Sequence, residues 1–249
     1  MQYRTNYRGQ SVWLGAGPAM VGGLAVGALA GAPGRRGVAA ATAVGLAGAV
    51  GYFDDRFGSA EQRGLRGHLR ALRQGKITTG FIKIIGVGAT AMLTAGWLRP
   101  ASRQARWQHF DYLVDAALIA GLSNLINLFD LRPGRALKVA GLLAGPLALW
   151  PDQRSQTAEG SALAGAVLGG VVAALPDDLA ERSMLGDCGA GAVGALLGCA
   201  AVCRLGRLPK IGLLAAVCLL TLLSEKVSFS KVIARQRLLR WLDGLGRSA

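Results

Sequence analysis

Apolar residues along this chain fall in long blocks separated by short polar segments, not in the narrow stripes of helices that are half wetted. Eight blocks stand out, at about 12–30, 38–53, 78–98, 112–129, 137–150, 161–175, 190–203 and 211–223. A helix that crosses a bilayer needs about 20 apolar residues. Several blocks are shorter than that, the fifth and sixth most clearly. In lipid the backbone must satisfy its own hydrogen bonds, so blocks of this kind are expected as helices. The pattern predicts an all-α fold, a polytopic membrane bundle of about eight transmembrane helices, forming one integral-membrane domain over 1–249. Small residues recur four apart at Gly23 and Gly27, Gly165 and Gly169, and Gly194 and Gly198. That spacing lets helices approach closely in lipid.

Composition supports the same class. Hydrophobic residues make up 52% of the chain, charged residues 17%, and mean hydropathy is +0.38; a soluble domain carries about a quarter charged residues. The first block lacks a convincing cleavage site and later blocks are equally apolar, so no removable signal peptide is expected. Three of the four cysteines, Cys199, Cys203 and Cys218, lie inside apolar blocks, and Cys188 lies at a block edge. Without a paired CxxC pattern they are expected as small apolar side chains.

The net charge of +14 would suggest nucleic acid in a soluble protein. Here the charges lie between apolar blocks, so topology and anionic headgroups account for them better and no nucleic-acid partner is expected. With eight spans both termini share a side. If the segments 1–11, 54–76, 130–138, 176–189 and 224–249 face that side, it holds 18 Lys and Arg against 9 opposite. The positive-inside bias makes the richer side cytoplasmic. The last four of these segments are expected to form the active face.

The polar motifs all fall on that side. Asn124, Asn127 and Asp130 are three residues apart at the end of the fourth block, so a helix carries them on one face. Strongly polar groups on a membrane helix are costly unless they pair, bind something or meet water. Arg132, Arg135 and Lys138 follow at once. Amides, a carboxylate and cations at one mouth suit a phosphate-bearing polar ligand; a helix end emerging into water is the plainer reading. Asp54 and Asp55 are adjacent at the end of the second block. Two neighbouring carboxylates repel unless a cation or proton intervenes, and Mg2+, with Mn2+ as the alternative hard ion, takes carboxylate and phosphate oxygens together. A solvated helix terminus is the alternative. Asp187 lies between glycines in Met184-Leu185-Gly186-Asp187-Cys188-Gly189, placed either to cap the seventh helix or to meet a ligand. Lys83, inside the third block, is placed to counter the carboxylates, to contact phosphate or to snorkel. Glu225 closes the eighth block, for pairing or for substrate. His68, in a basic loop, and His109, on the outer side, are poor catalytic candidates.

The ordered set is more specific than its members: Asp54-Asp55, then NxxNxxD at Asn124, Asn127 and Asp130, then Gly186-Asp187, then Glu225 before Ser228-Phe229-Ser230-Lys231. It resembles the polyprenyl-phosphate N-acetylhexosamine-1-phosphate transferase family, which includes the phospho-MurNAc-pentapeptide translocase and GlcNAc-1-phosphate transferases, over about 6–231. The resemblance implies Mg2+ held by Asp54, Asp55 and Asp187, and a uridine-nucleotide and catalytic pocket at Asn124, Asn127 and Asp130. Arg8-Gly9 is a weaker counterpart of an N-terminal basic segment. It further implies a UDP-sugar and a polyprenyl phosphate as substrates, a multi-pass cell-membrane location, and a homodimer.

The departures are specific. A second aspartate usual in the NxxNxxD segment is replaced by Pro133, the methionine of the MGD motif by Leu185, and an upstream asparagine by Asp177. A His-rich loop and the family's first and last spans have no counterpart. A compact, divergent member is implied, with MurNAc-pentapeptide the less favoured substrate. The leading expectation is transfer of sugar-1-phosphate from a UDP-sugar to polyprenyl phosphate with release of UMP, in envelope polysaccharide or peptidoglycan precursor synthesis. Asp54, Asp55, Asp130 and Asp187 would be catalytic, and Asn124, Asn127, Arg132, Arg135, Lys83 and Glu225 would contact substrate. The second expectation is a non-catalytic relative that binds polyprenyl phosphate or regulates a membrane enzyme. A small-solute transporter ranks last, because it would need paired polar groups near the midplane.

Overall fold

Each of the eight apolar blocks folds as an α-helix. The structure, a computed structural model, describes residues 3–5, 9, 11–58, 67, 71–99, 108–150 and 158–247. Its long helices are α1 (Ala16–Gly31), α2 (Arg35–Phe57), α3 (Thr79–Leu98), α4 (Gln108–Phe129), α5 (Arg135–Leu149), α6 (Ala158–Leu179), α7 (Gly186–Arg204) and α8 (Arg207–Ser224). Two short helices, α9 (Phe229–Arg235) and α10 (Arg237–Gly244), follow. Among the described residues, six helices, α2, α3, α4, α6, α7 and α8, are long and apolar enough to cross a membrane. At 1.5 Å per residue, 18 to 23 residues reach about 27 to 35 Å. The fold is that of an all-α, multi-pass membrane bundle. Helices α1 and α5, with 16 and 15 residues, are shorter companions.

The core is α7. Cys188 to Ala201 is buried without interruption, and α7 packs most extensively on α2 and α4, then on α6 and α1. Its glycines make this possible. A Cβ on Gly194 would stand 2.4 Å from the Leu122 carbonyl oxygen, and one on Gly198 would stand 2.6 Å from Ile119 Cα. On the other side Gly51 of α2 lies against α7, with only 2.2 Å between its would-be Cβ and the Asp187 carbonyl oxygen. Ser123 of α4 donates its hydroxyl to the Gly191 carbonyl at 3.0 Å, a buried bond between helices. The other expected small-residue pairs behave differently. Gly27 meets Ala166, but Gly23, Gly165 and Gly169 face open space. Large apolar side chains such as Val26, Ile85, Leu142, Val172 and Leu222 remain exposed around the bundle, as a lipid-facing surface requires. Helix α8 packs on α4 and leaves most of its surface uncovered.

The N-terminal segment departs from the expected first span. Residues Ser11–Trp13 form strand β2, which pairs antiparallel with β1 (Tyr3–Thr5), Arg4 opposite Val12. Trp13 then bridges Ser183, and the Met184 N–H donates to the Trp13 carbonyl at 3.0 Å. The hairpin thereby covers the turn between α6 and α7. Three-residue strands are too short to show a period of two. The expected acidic loop at 176–187 also begins inside a helix, because α6 runs through Pro176 to Leu179.

Candidate functional site

Helix α3 begins cleanly: the Thr78 hydroxyl accepts the Phe81 N–H at 3.1 Å, a side-chain cap on its first turn. One turn further in, Lys83 points back toward the ends of α2 and α7. Its Nζ lies 3.3 Å from Asp54 Oδ2 and 3.0 Å from Asp187 Oδ2. All three side chains are only partly exposed, at 15 to 20%. Asp54 and Asp187 also lie within hydrogen-bonding reach of each other, and the Thr79 hydroxyl bonds to Asp54. Two carboxylates this close, in so little water, require a cation or a shared proton between them. Here the cation is the lysine ammonium.

Asp55 has another task. Its Oδ1 accepts the Asp187 N–H at 3.0 Å and its Oδ2 the Cys188 N–H at 2.9 Å. Asp55 therefore caps the first turn of α7 from a different helix, where free N–H groups and the helix dipole favour an anion. The sequence left a capping role open for Asp187 itself; in the structure Asp55 does the capping and the Asp187 side chain is released toward Lys83. Gly186 has φ of +61°, and a Cβ there would stand 2.8 Å from Asp55 Oδ2. The glycine supplies both the left-handed turn and the room for the carboxylate.

Asn124, Asn127 and Asp130 sit at the same end of the bundle. Ser123, bonded to Gly191 one turn beyond Asp187, links their helix to α7. Asn124 is exposed, and its amide donates weakly to Thr221 of α8 at 3.5 Å. Asn127 Oδ1 is buried without a hydrogen-bond partner among the described residues. Asp130 lies one residue past α4, its N–H still donating to the Asn127 carbonyl at 3.2 Å. Phe129 stacks on Phe229 of α9, ring centroids 5.3 Å apart, so the tail covers this helix end. Glu225 is the exposed C-cap of α8.

The basic cluster divides. Arg132 is half-buried in the turn. Arg135, expected near phosphate, is buried and fully engaged with the tail: Nε and NH2 donate to the two oxygens of Asp243 at 2.7 and 2.9 Å, and NH1 donates to Ser230 at 2.9 Å. Lys138 donates to the carbonyls of Leu242, Asp243 and Leu245 at 3.1, 2.8 and 2.7 Å, closing the end of α10. Arg247 bonds to the Pro133 carbonyl at 2.9 Å and to Asp243 at 2.9 Å. Burial would push the Asp243 carboxyl up, but its bonds to Arg135 and Arg247 hold it below the usual carboxylate range. The signal for Asp243 was present in the sequence: it is the only acidic residue after Glu225. Asp178 was also missed; it is buried and accepts the Gly134 N–H at 2.8 Å, tying α5 to α6.

At the far end of the bundle charged pairs staple α4 to α8. Asp115 is 3% exposed and pairs with Lys210 at 2.7 Å, and Arg207 forks Asp111 with two bonds of 2.7 Å. His109 is exposed. Arg8, and residues 59–66 and 68–70 of the loop at 54–76, His68 among them, lie outside the described residues.

Among the described residues no group of three or more His, Cys, Asp and Glu side chains is arranged to hold a metal ion. A smaller donor set is present. Two hard carboxylate oxygens, from Asp54 and Asp187, already converge on one positive charge, which fits a divalent ion that keeps phosphate or water oxygens as its remaining ligands. Both oxygens of Asp55 are taken by backbone N–H groups. In comparisons with known proteins, no family model and no curated protein matches the chain.

Proposed function

We propose that this chain is a Mg2+-dependent transferase at the cytoplasmic face of the cell membrane, moving a sugar-1-phosphate from a UDP-sugar to polyprenyl phosphate and releasing UMP. The observation that carries this reading is the convergence of Asp54 and Asp187 on Lys83, at the bundle end that also holds Asn124, Asn127 and Asp130.

Asp54 and Asp187 would hold the ion, with Lys83 turning from the carboxylates to the entering phosphates. Bound there, Mg2+ would neutralise diphosphate charge and stabilise the departing UMP. Asp55 acts as a positioning residue: by capping α7 it fixes where Asp187 points. The exposed Asn124 amide and the unpartnered Asn127 oxygen suit the donors and acceptors of a nucleotide base and ribose. Within the basic cluster Arg135 and Lys138 are engaged by the tail, and Arg132 stands half-buried in the turn beside Asp130, where it would face phosphate. In the transfer itself an oxygen of the lipid phosphate bonds to the sugar-bearing phosphorus of the donor. The bond from that phosphorus to the bridging oxygen breaks, and UMP leaves with the electron pair.

A second reading, a non-catalytic binder of polyprenyl phosphate, draws on the same cluster. Pro133 stands where the resembled family has an acid, and Arg135 and Lys138 serve structure. One experiment separates the two. Purified protein in detergent is incubated with undecaprenyl phosphate, Mg2+ and a panel of radiolabelled UDP-sugars, with Asp187→Asn alongside. A labelled lipid from wild type alone establishes the transferase and names the sugar. No product from any donor, with polyprenyl phosphate still bound by folded protein, establishes the second reading.

A further inference from the structure

The tail forms an amphipathic helix that is mounted the wrong way round for water. On α10 the apolar residues Leu238, Trp241 and Leu242, with Leu245 just beyond, share one side at spacings of three and four. A surface helix of a soluble protein turns such a side inward. Here it faces out: Leu238 is 66% exposed and Trp241 61%. The opposite side is attached to the protein through the Asp243 side chain, which accepts from Arg135, and the C-terminal end of the helix is held by Lys138 through the main-chain carbonyls of Leu242, Asp243 and Leu245. The attachment lies at the first turn of α5, where the bundle ends. The tail also leads directly from α8, the helix with the least of its span buried inside the bundle.

The exposed charges on α9 and α10 have one sign. Lys231, Arg235, Arg237 and Arg240 are all exposed. A helix of this design lies in the plane of a membrane surface, its apolar side in the headgroup and upper acyl layer and its cations at the phosphates. Their long stems allow this without lifting the helix away.

We propose that α9 and α10 form an interfacial element that seats Leu238, Trp241, Leu242 and Leu245 in the bilayer and binds anionic lipid headgroups through Lys231, Arg235, Arg237 and Arg240. The occupant of the exposed side is the lipid surface, argued from charge and from continuity with the lipid-facing helices, and the inference stands whether or not the chain is a transferase. Because Asp243 and Arg135 join this element to the turn after Asn127, lipid contact would hold the tail over that turn.

The test uses the full chain in nanodiscs of phosphatidylcholine with phosphatidylglycerol. The fluorescence of Trp241 is isolated as the difference between wild type and Trp241→Phe. The expected result is strong quenching by lipids brominated high on the acyl chain and little by aqueous iodide. Quenching by iodide alone overturns the proposal. Shielding from both, with a change of oligomeric state on Trp241→Glu, also overturns it, in favour of a second copy. The headgroup claim is read by native mass spectrometry as retention of phosphatidylglycerol over phosphatidylcholine. Each of Lys231→Gln, Arg235→Gln, Arg237→Gln and Arg240→Gln should weaken that retention about fivefold, at unchanged melting temperature; unchanged retention in the fourfold variant overturns the claim.

Discussion

The carboxylate of Asp55 sits over the first turn of α7 because residue 186 is glycine: a Cβ there would approach Asp55 Oδ2 to 2.8 Å, and φ at this position is +61°. Gly186→Ala therefore meets two obstacles. The left-handed backbone costs an L-residue about 1–2 kcal/mol, and the displaced carboxylate leaves N–H groups of α7 without their cap, a further loss of about 1 kcal/mol. The expected outcome is a lower melting temperature in detergent for Gly186→Ala, with Asp55→Ala showing the cap loss alone. Equal stability of Gly186→Ala and wild type would contradict the cap.

The division of labour between Asp54 and Asp55 gives a sharper test. A divalent ion held by Asp54 and Asp187 stabilises the folded protein by about 2.7 kcal/mol at a hundred times its dissociation constant. Thermal unfolding with Mg2+ against equal ionic strength of KCl should show a clear upward shift for wild type and for Asp55→Asn. Asp54→Asn and Asp187→Asn should lose it. Lys83→Met, which removes the competing ammonium, should enlarge it. In the transfer assay Asp187→Asn should fall about 100- to 1,000-fold, the usual cost of losing one electrostatic stabiliser.

Arg135 and Asp243 are buried together, with side chains 6% and 12% exposed. Removing one partner of a buried pair costs about 3–5 kcal/mol, more than the docking of two short helices can absorb. Arg135→Met should release the tail, read as faster tryptic cleavage at Arg237 and Arg240 while the bundle stays intact. The pH dependence follows from the depressed Asp243 carboxyl. A carboxylate whose folded value lies below its unfolded value, near 3.9, contributes stability that is present above that value and is lost as pH falls through the folded one. Release of the tail, followed here by the fluorescence of Trp241 because trypsin's catalytic histidine is protonated in acid, should stay flat from pH 7 to 5 and rise only below about pH 4. A rise between pH 7 and 6 would point to a group other than Asp243.

What could be foreseen divides along physical lines. The eight helices were legible because a run of apolar residues long enough to cross lipid carries its own signature, and α3 at Thr79–Leu98 matches its block within a residue. The β1–β2 hairpin was not, because three-residue strands leave no periodicity. Asp54 and Asp55 are indistinguishable in sequence; only the direction of the last turn of α2 sends one to Lys83 and the other to the α7 backbone. Arg135 read as a phosphate contact because its partner Asp243 lies over a hundred residues away. The inverted attachment of α10 was beyond a composition-level view of a basic tail.

Small-residue spacing was legible as a pattern but ambiguous as packing, which leads to the last test. Gly194 and Gly198 hold α7 against the α4 backbone, where a Cβ would come within 2.4 and 2.6 Å of neighbouring atoms. Gly165 and Gly169 show the same spacing on α6 and meet nothing within 4 Å. Overpacking a tight contact typically costs about 1–3 kcal/mol, while Gly to Ala in an unobstructed helix is worth up to about 1 kcal/mol of stability. Gly194→Ala and Gly198→Ala should therefore lower the melting temperature in detergent, and Gly165→Ala and Gly169→Ala should leave it unchanged or raise it. Because Ser123 and Gly191 lie on that same α4–α7 contact, Gly194→Ala should also disturb the geometry joining Asn124 to Asp187. Its Mg2+-dependent thermal shift should shrink, and that of Gly165→Ala should match wild type. A destabilised Gly165→Ala beside an unaffected Gly194→Ala would reverse the assignment of the two helix faces.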